Sequence, residues 1–242
     1  MGGCGVGPVE NEYRPSNLVQ LMPQKPNFLG GFGIEKAAEN RRSSDKKPEG
    51  NIGLIFARAY IEAGLLECGR KVLILKAPAG GTGFLKGDWR PGDYYYQNML
   101  AMLDAALALN KNNRVVAALW HQGEGEVLYG ATYEQQTENL TALIGGIRGH
   151  VGDPELPFIA GDFVPEWRDA NPAACAPVSG ASRDVCNSIG RAAFVESDGL
   201  TSNYQAVGEV NGGGPDSIHF SREALYEFGQ RYFDAYLGIM GG

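Results

Sequence analysis

The stretch that decides the fold is residues 115–119, Val-Val-Ala-Ala-Leu, followed by residues 120–126, Trp-His-Gln-Gly-Glu-Gly-Glu. The first part is apolar throughout and predicts a fully buried strand. The second part places an imidazole, an amide and two carboxylates directly after the carboxyl end of that strand. Because ligands bind at this edge of open α/β sheets, the segment predicts one half of a functional site.

A second polar cluster, Asp216-Ser217-Ile218-His219, comes just before the last predicted helix. A catalytic triad needs a base and a carboxylate that fixes the tautomer of the base, and this segment offers both. His219 is therefore a candidate general base, with Asp216 orienting it. The alternative is that Asp216 caps a turn and His219 only packs there. Ser221 fits the N-cap of the following helix and receives no catalytic role.

Four further features suggest roles near the first cluster. Gln122 is a neutral donor at a strand end, which suits stabilisation of an oxyanion. Glu124 is expected to be a buried anchor that accepts backbone or amide hydrogens, and His121 to be a packed or rim histidine. Gly80-Gly81-Thr82 follows another predicted strand and permits close approach of backbone N–H groups to a substrate oxygen, although a plain turn explains it equally.

The rest of the chain alternates predicted strands and helices. Strands are expected at 71–76, 115–119, 157–161 and 192–196, and helices at 51–63, 94–109, 132–150, 182–191 and 221–236. This order predicts an α/β fold, a three-layer α/β/α sandwich with a mainly parallel, flavodoxin-like sheet. We expect a single domain over 1–242, mostly loop up to residue 50 and with its α/β core at 51–240.

Three segments of this pattern stand out. Residues 8–48 are expected to be a long surface loop with a short helix near 34–38. The helix at 51–63 therefore has no strand before it, which suggests that the first strand of the fold is missing. Residues 165–183 are expected to be a polar loop bordering the substrate cleft.

Composition limits the classes of partner. The net charge of −7 and the pI near 5.1 argue against nucleic acid as the main partner. No apolar run approaches the ~18 residues that span a bilayer, so membrane insertion is not expected. The four cysteines form no metal pattern, and Cys175 and Cys186 fit either a disulfide or two free thiols. No signal peptide is visible, and the residues leave the compartment and the oligomeric state open.

Taken together, these blocks resemble the sialate O-acetylesterase-like branch, carbohydrate esterase family 6, of the SGNH (GDSL-like) hydrolases. The similarity lies in Gly80-Gly81-Thr82, in Trp120-His121-Gln122-Gly123-Glu124 and in Asp216-x-x-His219. The segment 89–92, Trp-Arg-Pro-Gly, and the helix starting near Asn51 are also similar, so the resemblance covers about 48–238 in order. Family members usually read Glu-Ser-Asp where this chain has Glu124-Gly125-Glu126.

The family also has a first block, Gly-Gln-Ser-Asn, whose serine is the nucleophile at the tip of the first strand. This chain begins Met-Gly-Gly-Cys-Gly, which is similar to the residues that come after that block in the family. The resemblance thus implies that the nucleophile block is absent from the chain. The competing nucleophile within it is Ser16, in Arg14-Pro15-Ser16-Asn17, and Ser43 and Ser44 rank lower because they lie in a charged segment.

The resemblance implies a serine-type carbohydrate O-acetyl esterase acting on acetylated polysaccharide or acetylated sialic acid. His219 and Asp216 would be catalytic, Gly81 and Gln122 would form the oxyanion hole, and Gly80, Thr82, Gly123 and Glu124 would support it. No metal or organic cofactor is implied. Because family members are often exported, the resemblance also points to a secreted or periplasmic protein.

Without its nucleophile, the 242-residue chain is expected to be inactive and poorly folded. Several other functions remain as alternatives. The first is a catalytically dead carbohydrate-binding or scaffold protein of the same fold. A glycosidase would use two of Glu124, Glu126 and Asp216, and a metal hydrolase would use His121, Glu124 and His219.

Overall fold

The computed structural model of the protein describes residues 5–25, 31–42, 45–208 and 215–241. The strands are β1 (Val19–Pro23), β2 (Glu35–Lys36), β3 (Asn40–Arg41), β4 (Pro48–Glu49), β5 (Val72–Lys76), β6 (Ala118–Trp120), β7 (Phe158–Gly161) and β8 (Ala192–Val195). The helices are α1 (Ile52–Glu62), α2 (Tyr94–Ala108), α3 (Glu124–Leu128), α4 (Tyr133–Val151), α5 (Pro165–Ala170), α6 (Pro172–Ser188), α7 (Asn203–Val207) and α8 (Arg222–Met240).

Side-chain caps explain where the main helices begin. The Asn51 side chain accepts hydrogen bonds from Gly53 N and Leu54 N at the start of α1. Thr132 and Gln135 form a reciprocal capping box at the start of α4. Ser221 accepts from Ala224 N at 3.1 Å, which confirms it as the N-cap of α8.

The helices cover the sheet on both faces. On one face, α1 and α8 bury a cluster that includes Phe56, Phe228 and Tyr232 against the strands. On the other face, α2, α4 and α6 bury Leu103, Ile144 and their neighbours. This arrangement confirms the predicted three-layer α/β/α sandwich with a parallel sheet. Among the described residues, no helix combines the length and apolar character that a membrane crossing requires.

The sheet consists of two three-stranded parts. One part has the order β2-β1-β5, in which β1 runs parallel to β5 and antiparallel to β2. The other has the order β6-β7-β8 and is parallel throughout. In addition, β3 and β4 form a short antiparallel pair. The parallel strands agree with the α/β class that the strand–helix alternation predicts.

A cleft of about 440 Å³ separates the two parts of the sheet, with β5 on one side and β6 on the other. All five residues of β5 are therefore partly exposed, as are residues 115–120. The expectation of a fully buried strand at 115–119 was wrong in this respect. Only 118–120 are strand, because β6 pairs with β7 on one edge and with no described strand on the other.

The N-terminal segment is more ordered than the sequence suggested. Residues 19–23 form a strand where a loop was expected, and residues 35–36 form a strand where a short helix was expected. The helix α1 therefore does follow a strand. The segment is held to α8 because the buried Arg222 guanidinium pairs with Glu39 and with Glu12.

The expected polar loop at 165–183 is helical instead. Pro172 occupies the first turn of α6, where its absent N–H costs nothing, and Cys175, Val178 and Val185 are buried at helical spacing. Cys175 and Cys186 are both free and buried in this one helix. Residues three turns apart on a helix are about 16 Å apart along its axis, too far for a disulfide.

Candidate active site

Polar segments follow the carboxyl ends of β5 and β6, the two strands that border the cleft, and another polar segment precedes α8. The turn 77–82 follows β5 and residues 121–124 follow β6, as the sequence predicted. Asp216 and His219 lie in the segment leading to Ser221, the N-cap of α8. The structure therefore brings to one edge of the sheet most of the residues that the sequence singled out.

The acid–imidazole pair is formed. His219 Nδ1 lies 2.8 Å from Asp216 Oδ1, and the backbone N–H of His219 donates to the same oxygen at 3.3 Å. A neutral imidazole whose Nδ1–H donates to a carboxylate has its basic lone pair on Nε2, and that nitrogen can then accept a proton. Both side chains remain partly accessible, at 31% for His219 and 22% for Asp216.

Asn203 holds Asp216 in place, and sequence reasoning did not single it out. Its side-chain amide donates to Asp216 Oδ2 at 2.9 Å, and its backbone N–H donates to His219 O at 2.9 Å. Asn203 follows Ser202, which forms a capping box with Gln205. The spacing Ser-x-x-Gln was the signal that could have located a helix start here.

The environment favours the charged form of Asp216. Burial alone would raise its pKa, but hydrogen bonds from His219 and Asn203 outweigh burial and lower the pKa below its usual value. An ionised Asp216 is what an imidazolium forming at His219 would need beside it. The pair therefore has both the geometry and the charge of a base with its orienting carboxylate.

Gln122 ties the two strand ends together. Its side-chain N–H groups donate to Thr82 O at 3.0 Å and to the Glu126 carboxylate. Thr82 in turn accepts from the indole of Trp89 at 2.8 Å. The amide hydrogens of Gln122 are thus directed to protein acceptors, and one of these bonds must be exchanged before Gln122 can donate to an oxyanion.

Glu126, not Glu124, is the buried anchor. The Glu126 carboxylate is fully buried and accepts from Gln122 and from the backbone N–H of Phe84. Burial raises its pKa, and these hydrogen bonds oppose the rise. Because α3 begins at Glu124, Glu126 is turned towards the 82–84 segment. Sequence reasoning gave this role to Glu124, which is also buried, because the spacing does not show which of the two carboxylates reaches Gln122 and Phe84.

Glu124 instead lies beside His121. Glu124 Oε1 is 3.8 Å from His121 Nε2, and both side chains are buried. Burial raises the pKa of Glu124 and lowers the pKa of His121 to about 3, which favours the neutral form of each. The His121 ring packs 5.5 Å from that of Phe220, the residue after His219, and so joins the two polar clusters.

The glycine turn lies open at the same edge. Gly80 and Gly81 are exposed, and Gly81 has a φ of 67°, a left-handed conformation that favours glycine. Lys86 Nζ donates to Gly81 O at 2.6 Å, and no described residue accepts from Gly81 N–H. Gly123 is required by packing, since a Cβ there would lie 2.8 Å from the Phe163 ring.

The candidate nucleophile Ser16 lies elsewhere. It precedes β1, and its Oγ accepts from Leu18 N at 3.0 Å, at the amino end of the strand. The acid–imidazole pair belongs to the opposite edge of the sheet, so the structure does not bring Ser16 to His219. Ser43, Ser44 and residues 1–4 lie outside the described residues.

The glycosidase and the metal hydrolase, the two alternative enzymes, would need other arrangements of carboxylates and imidazoles than those in the structure. Glu126 is hydrogen-bonded inside the protein and does not face a sugar cleft. Across the described ranges, no three His, Cys, Asp or Glu side chains are grouped to hold a metal ion. The arrangement at Asp216 and His219 suits proton transfer to and from a hydroxyl group.

Comparison with known proteins agrees with the motifs. The family profile described as "Carbohydrate esterase, sialic acid-specific acetylesterase" matches residues 34–238. A probable carbohydrate esterase of Arabidopsis thaliana is 28% identical over 124 residues, which are 49% of this chain and 46% of that protein. The aligned region thus spans about half the length of this relative.

Solved structures share the fold. NanS superposes with a TM-score of 0.77 at 16% identity, covering 94% of this chain and 89% of that one. An Arabidopsis thaliana protein gives 0.67 at 18%, covering 93% and 82%. A novel carbohydrate acetylesterase from Xanthomonas citri gives 0.62 at 15%, covering 94% and 50%. With the profile match over most of its length, the chain belongs to the sialic acid-specific acetylesterase family of carbohydrate esterases.

Proposed function

We propose that this protein is a serine-type carbohydrate O-acetylesterase whose nucleophilic serine comes from a segment outside the 242 residues. The observation that carries the proposal is the His219–Asp216 pair at 2.8 Å, held by Asn203 at the carboxyl edge of the sheet. The family match supports the esterase chemistry. No described serine, threonine or cysteine is hydrogen-bonded to the imidazole of His219.

The chemistry follows from the positions of these groups. The serine hydroxyl attacks the acetyl carbonyl while His219 Nε2 takes its proton. The proton then passes to the sugar oxygen, which leaves as an alcohol and gives an acetyl-enzyme. Water deprotonated by the same nitrogen releases acetate and restores the serine. Gly81 N–H stabilises the oxyanion, and Gln122 joins it by giving up one of its present hydrogen bonds.

Substrate class follows only as far as the acetyl ester. Acetylated sialic acid and acetylated polysaccharide both present an ester on a sugar hydroxyl, which this site would hydrolyse in the same way. The fold shared with NanS and with the Xanthomonas citri acetylesterase does not choose between these two classes of substrate. The test therefore includes assays with both.

The proposal also predicts how fast the 242-residue chain hydrolyses an ester. Removing the nucleophile from a serine protease triad costs about 10⁶-fold in kcat, leaving about 10³ to 10⁴ over the uncatalysed rate. We therefore expect negligible turnover of an aryl acetate by residues 1–242. A form extended upstream by an in-frame Gly-Gln-Ser-Asn block should turn over the ester, and the same form carrying His219→Ala should not.

The second candidate is a catalytically dead carbohydrate-binding protein of the same fold. It is favoured by the lack of any hydroxyl or thiol bonded to His219 among the described residues. The reading frame upstream of the Met1 codon separates the two. An apolar run ending in Gly-Gln-Ser-Asn supports the esterase, and a nearby stop codon supports the binding protein.

A further inference from the structure

Residues 5 and 6 lie against the start of α8, directly after the acid–imidazole pair. Gly5 O accepts from Gly50 N–H at 3.0 Å, and Val6 O accepts from Arg222 N–H, in the first turn of α8, at 2.9 Å. The Val6 side chain is buried, and a Cβ on Gly5 would lie 2.7 Å from Ser221 O. The two residues are therefore seated closely between the segment before α1 and the start of α8.

Side-chain contacts farther along the chain hold the same N-terminal segment in place. The Arg222 guanidinium pairs with Glu12 at 2.9 Å and with Glu39 at 2.7 Å. The Tyr226 hydroxyl donates to Glu39 at 3.0 Å and accepts from Tyr13 N–H at 2.6 Å. These contacts do not involve the acid–imidazole pair. The segment therefore reaches the site as a fixed part of the fold.

The side-chain amide of Asn203 connects this segment to Asp216. Its Oδ1 accepts from Val6 N–H at 2.8 Å, and its Nδ2 donates to Asp216 Oδ2 at 2.9 Å. A backbone N–H can only donate and an ionised carboxylate can only accept, so these two partners determine which end of the amide is oxygen and which is nitrogen. Asn203 is 1% exposed, and protein groups therefore hold the amide in this orientation.

Each oxygen of Asp216 has a donor of its own. Oδ1 lies 2.8 Å from His219 Nδ1 and accepts from the His219 backbone N–H, whereas Oδ2 accepts from Asn203. Burial alone would raise the pKa of Asp216, and the hydrogen bonds from His219 and Asn203 lower it. Because the bond at Oδ2 fixes the plane of the carboxylate, it also fixes the direction in which Oδ1 faces the imidazole.

We propose that Asn203 is a positioning residue for proton transfer by His219, and that Val6 N–H orients the amide of Asn203. Val6 N–H, the Asn203 amide, the Asp216 carboxylate and His219 Nδ1 form one hydrogen-bonded chain. Donation to the amide oxygen polarises the amide and strengthens its N–H as a donor to Asp216. The carboxylate held in this way keeps the imidazole proton on Nδ1 and leaves Nε2 as the base. The role in catalysis rests on the proposed function, but the effect on His219 does not.

Two substitutions separate the two halves of this chain of hydrogen bonds. Asn203→Asp keeps an oxygen for Val6 N–H but sets a second carboxylate against Asp216, and two carboxylates in contact do not both stay ionised. Asn203→Ala removes both side-chain bonds. The backbone N–H of residue 203, which donates to His219 O at 2.9 Å, is kept in both variants. The variants therefore change the amide and leave the backbone contact between α7 and the pair.

The matched control is Gln205→Glu. It makes the same change of amide to carboxylate two residues further along α7, at an exposed position. The side-chain oxygen that accepts from Ser202 N–H at 3.0 Å is kept. This variant adds the same negative charge to the same helix without removing a donor from Asp216.

The first measurement is the tautomer of the His219 imidazole, from its ring-nitrogen NMR shifts at a pH where the ring is neutral. It uses the complete 242-residue chain labelled with ¹⁵N-histidine, which contains three imidazoles. We expect the Nδ1–H form in the wild type and in Gln205→Glu. The ratio of Nδ1–H to Nε2–H should be at least about tenfold lower in Asn203→Asp. His150, which lies beside Asp104, is the internal control and should not change.

The second measurement is hydrogen exchange of the Val6 amide. It should be at least about tenfold faster in Asn203→Ala than in the wild type, because its acceptor is gone. In Asn203→Asp it should stay near the wild-type rate, because a side-chain oxygen remains at the same place. Asn203→Asp therefore alters His219 alone, whereas Asn203→Ala alters both ends of the chain of hydrogen bonds.

Three results would overturn the proposal. The first is a His219 tautomer ratio in Asn203→Asp equal to that of the wild type. The second is a Val6 amide that exchanges equally fast in the wild type and in Asn203→Ala. The third is that both Asn203 variants fail to fold while Gln205→Glu folds, which would make Asn203 a residue required by the fold and not a positioning residue.

Function is tested in a separate arm with the upstream-extended form, which also serves for the NMR measurements if the 242-residue chain is insoluble. Asn203→Asp should lower kcat for an aryl acetate at least about tenfold and change KM less than about threefold. Equal kcat would contradict the positioning role and leave the proposed function standing. An extended wild type without turnover, whose His219 tautomer still responds to Asn203→Asp, would contradict the proposed function and leave the positioning of His219 standing.

Discussion

The strands β5 and β7 have similar apolar sequences but different surroundings. In β7, Phe158, Ile159 and Ala160 are each at most 2% exposed, because the strand has β6 on one side and β8 on the other. In β5, every residue is partly exposed, because only β1 pairs with it among the described strands. The comparison teaches that an apolar sequence alone does not determine how deeply a strand is buried. Burial also depends on whether a second strand pairs with its other edge.

The largest expected effect comes from making β5 resemble β7. Fusing an apolar strand that ends in Gly-Gln-Ser-Asn ahead of Met1 should raise hydrolysis of an aryl acetate by up to about 10⁶-fold, since it supplies the nucleophile. The measurement is the initial rate of aryl acetate hydrolysis. The control fusion ends in Gly-Gln-Ala-Asn, and equal rates from the two fusions would contradict the assignment.

The second prediction compares the two strands directly. Truncating Ile159 in β7 to Ala should cost about 2–5 kcal/mol of unfolding free energy, because the side chain is fully buried. Leu73→Ala in β5 should cost clearly less, since that side chain is partly exposed. Urea denaturation of both variants measures the difference, and equal losses would mean that β5 is as well packed as β7.

Much of the fold could be predicted because its signals are local. The helices α2, α4 and α8 follow from apolar periodicity and from caps such as Thr132 and Ser221. The helix α6 was missed although Cys175, Val178 and Val185 carry the periodicity, because Pro177 and the polar residues around it are typical of loops. The strand β1 was missed because Gln20 and Pro23 interrupt its apolar run.

Most residues of the site could be predicted from the sequence, but not all of the contacts between them. The pairing of Asp216 with His219 follows from a spacing of three residues and is formed. That Glu126 turns towards Phe84 while Glu124 meets His121 depends on where α3 begins, and the spacing of two carboxylates does not reveal it. Asn203 reaches Asp216 from 13 residues away, a contact that only the tertiary fold determines.

The third prediction concerns the hydrogen bonds that the Glu126 carboxylate accepts from Gln122 and from the backbone N–H of Phe84. Glu126→Ala leaves the buried N–H of Phe84 and one N–H of Gln122 without an acceptor, at about 1–3 kcal/mol for each group. We expect a matching loss of unfolding free energy in urea. Glu138→Ala, on the surface of α4, is the control and should change little. A loss no larger than in the control would remove Glu126 as the anchor.

The smallest expected effect is a pH dependence at the tip of β6. Burial lowers the pKa of His121 from 6.5 to about 3, so between these values the unfolded chain binds a proton that the folded chain does not. The stability that the folded chain gains by keeping His121 neutral is fully present above about pH 6.5 and is lost as the pH falls towards 3. The free energy of unfolding of the wild type should therefore decrease, relative to His121→Phe, as the pH drops from 7 to 5. Parallel pH profiles for the two proteins would contradict a buried neutral imidazole.

The central proposal is that His219 and Asp216 serve a serine that lies outside these 242 residues. Reaction of the 242-residue chain with a fluorophosphonate, followed by peptide mapping, tests it most directly. The account predicts no stoichiometrically labelled serine and negligible hydrolysis of an aryl acetate. A fully labelled serine within residues 1–242, together with ester hydrolysis that His219→Ala abolishes, would contradict it.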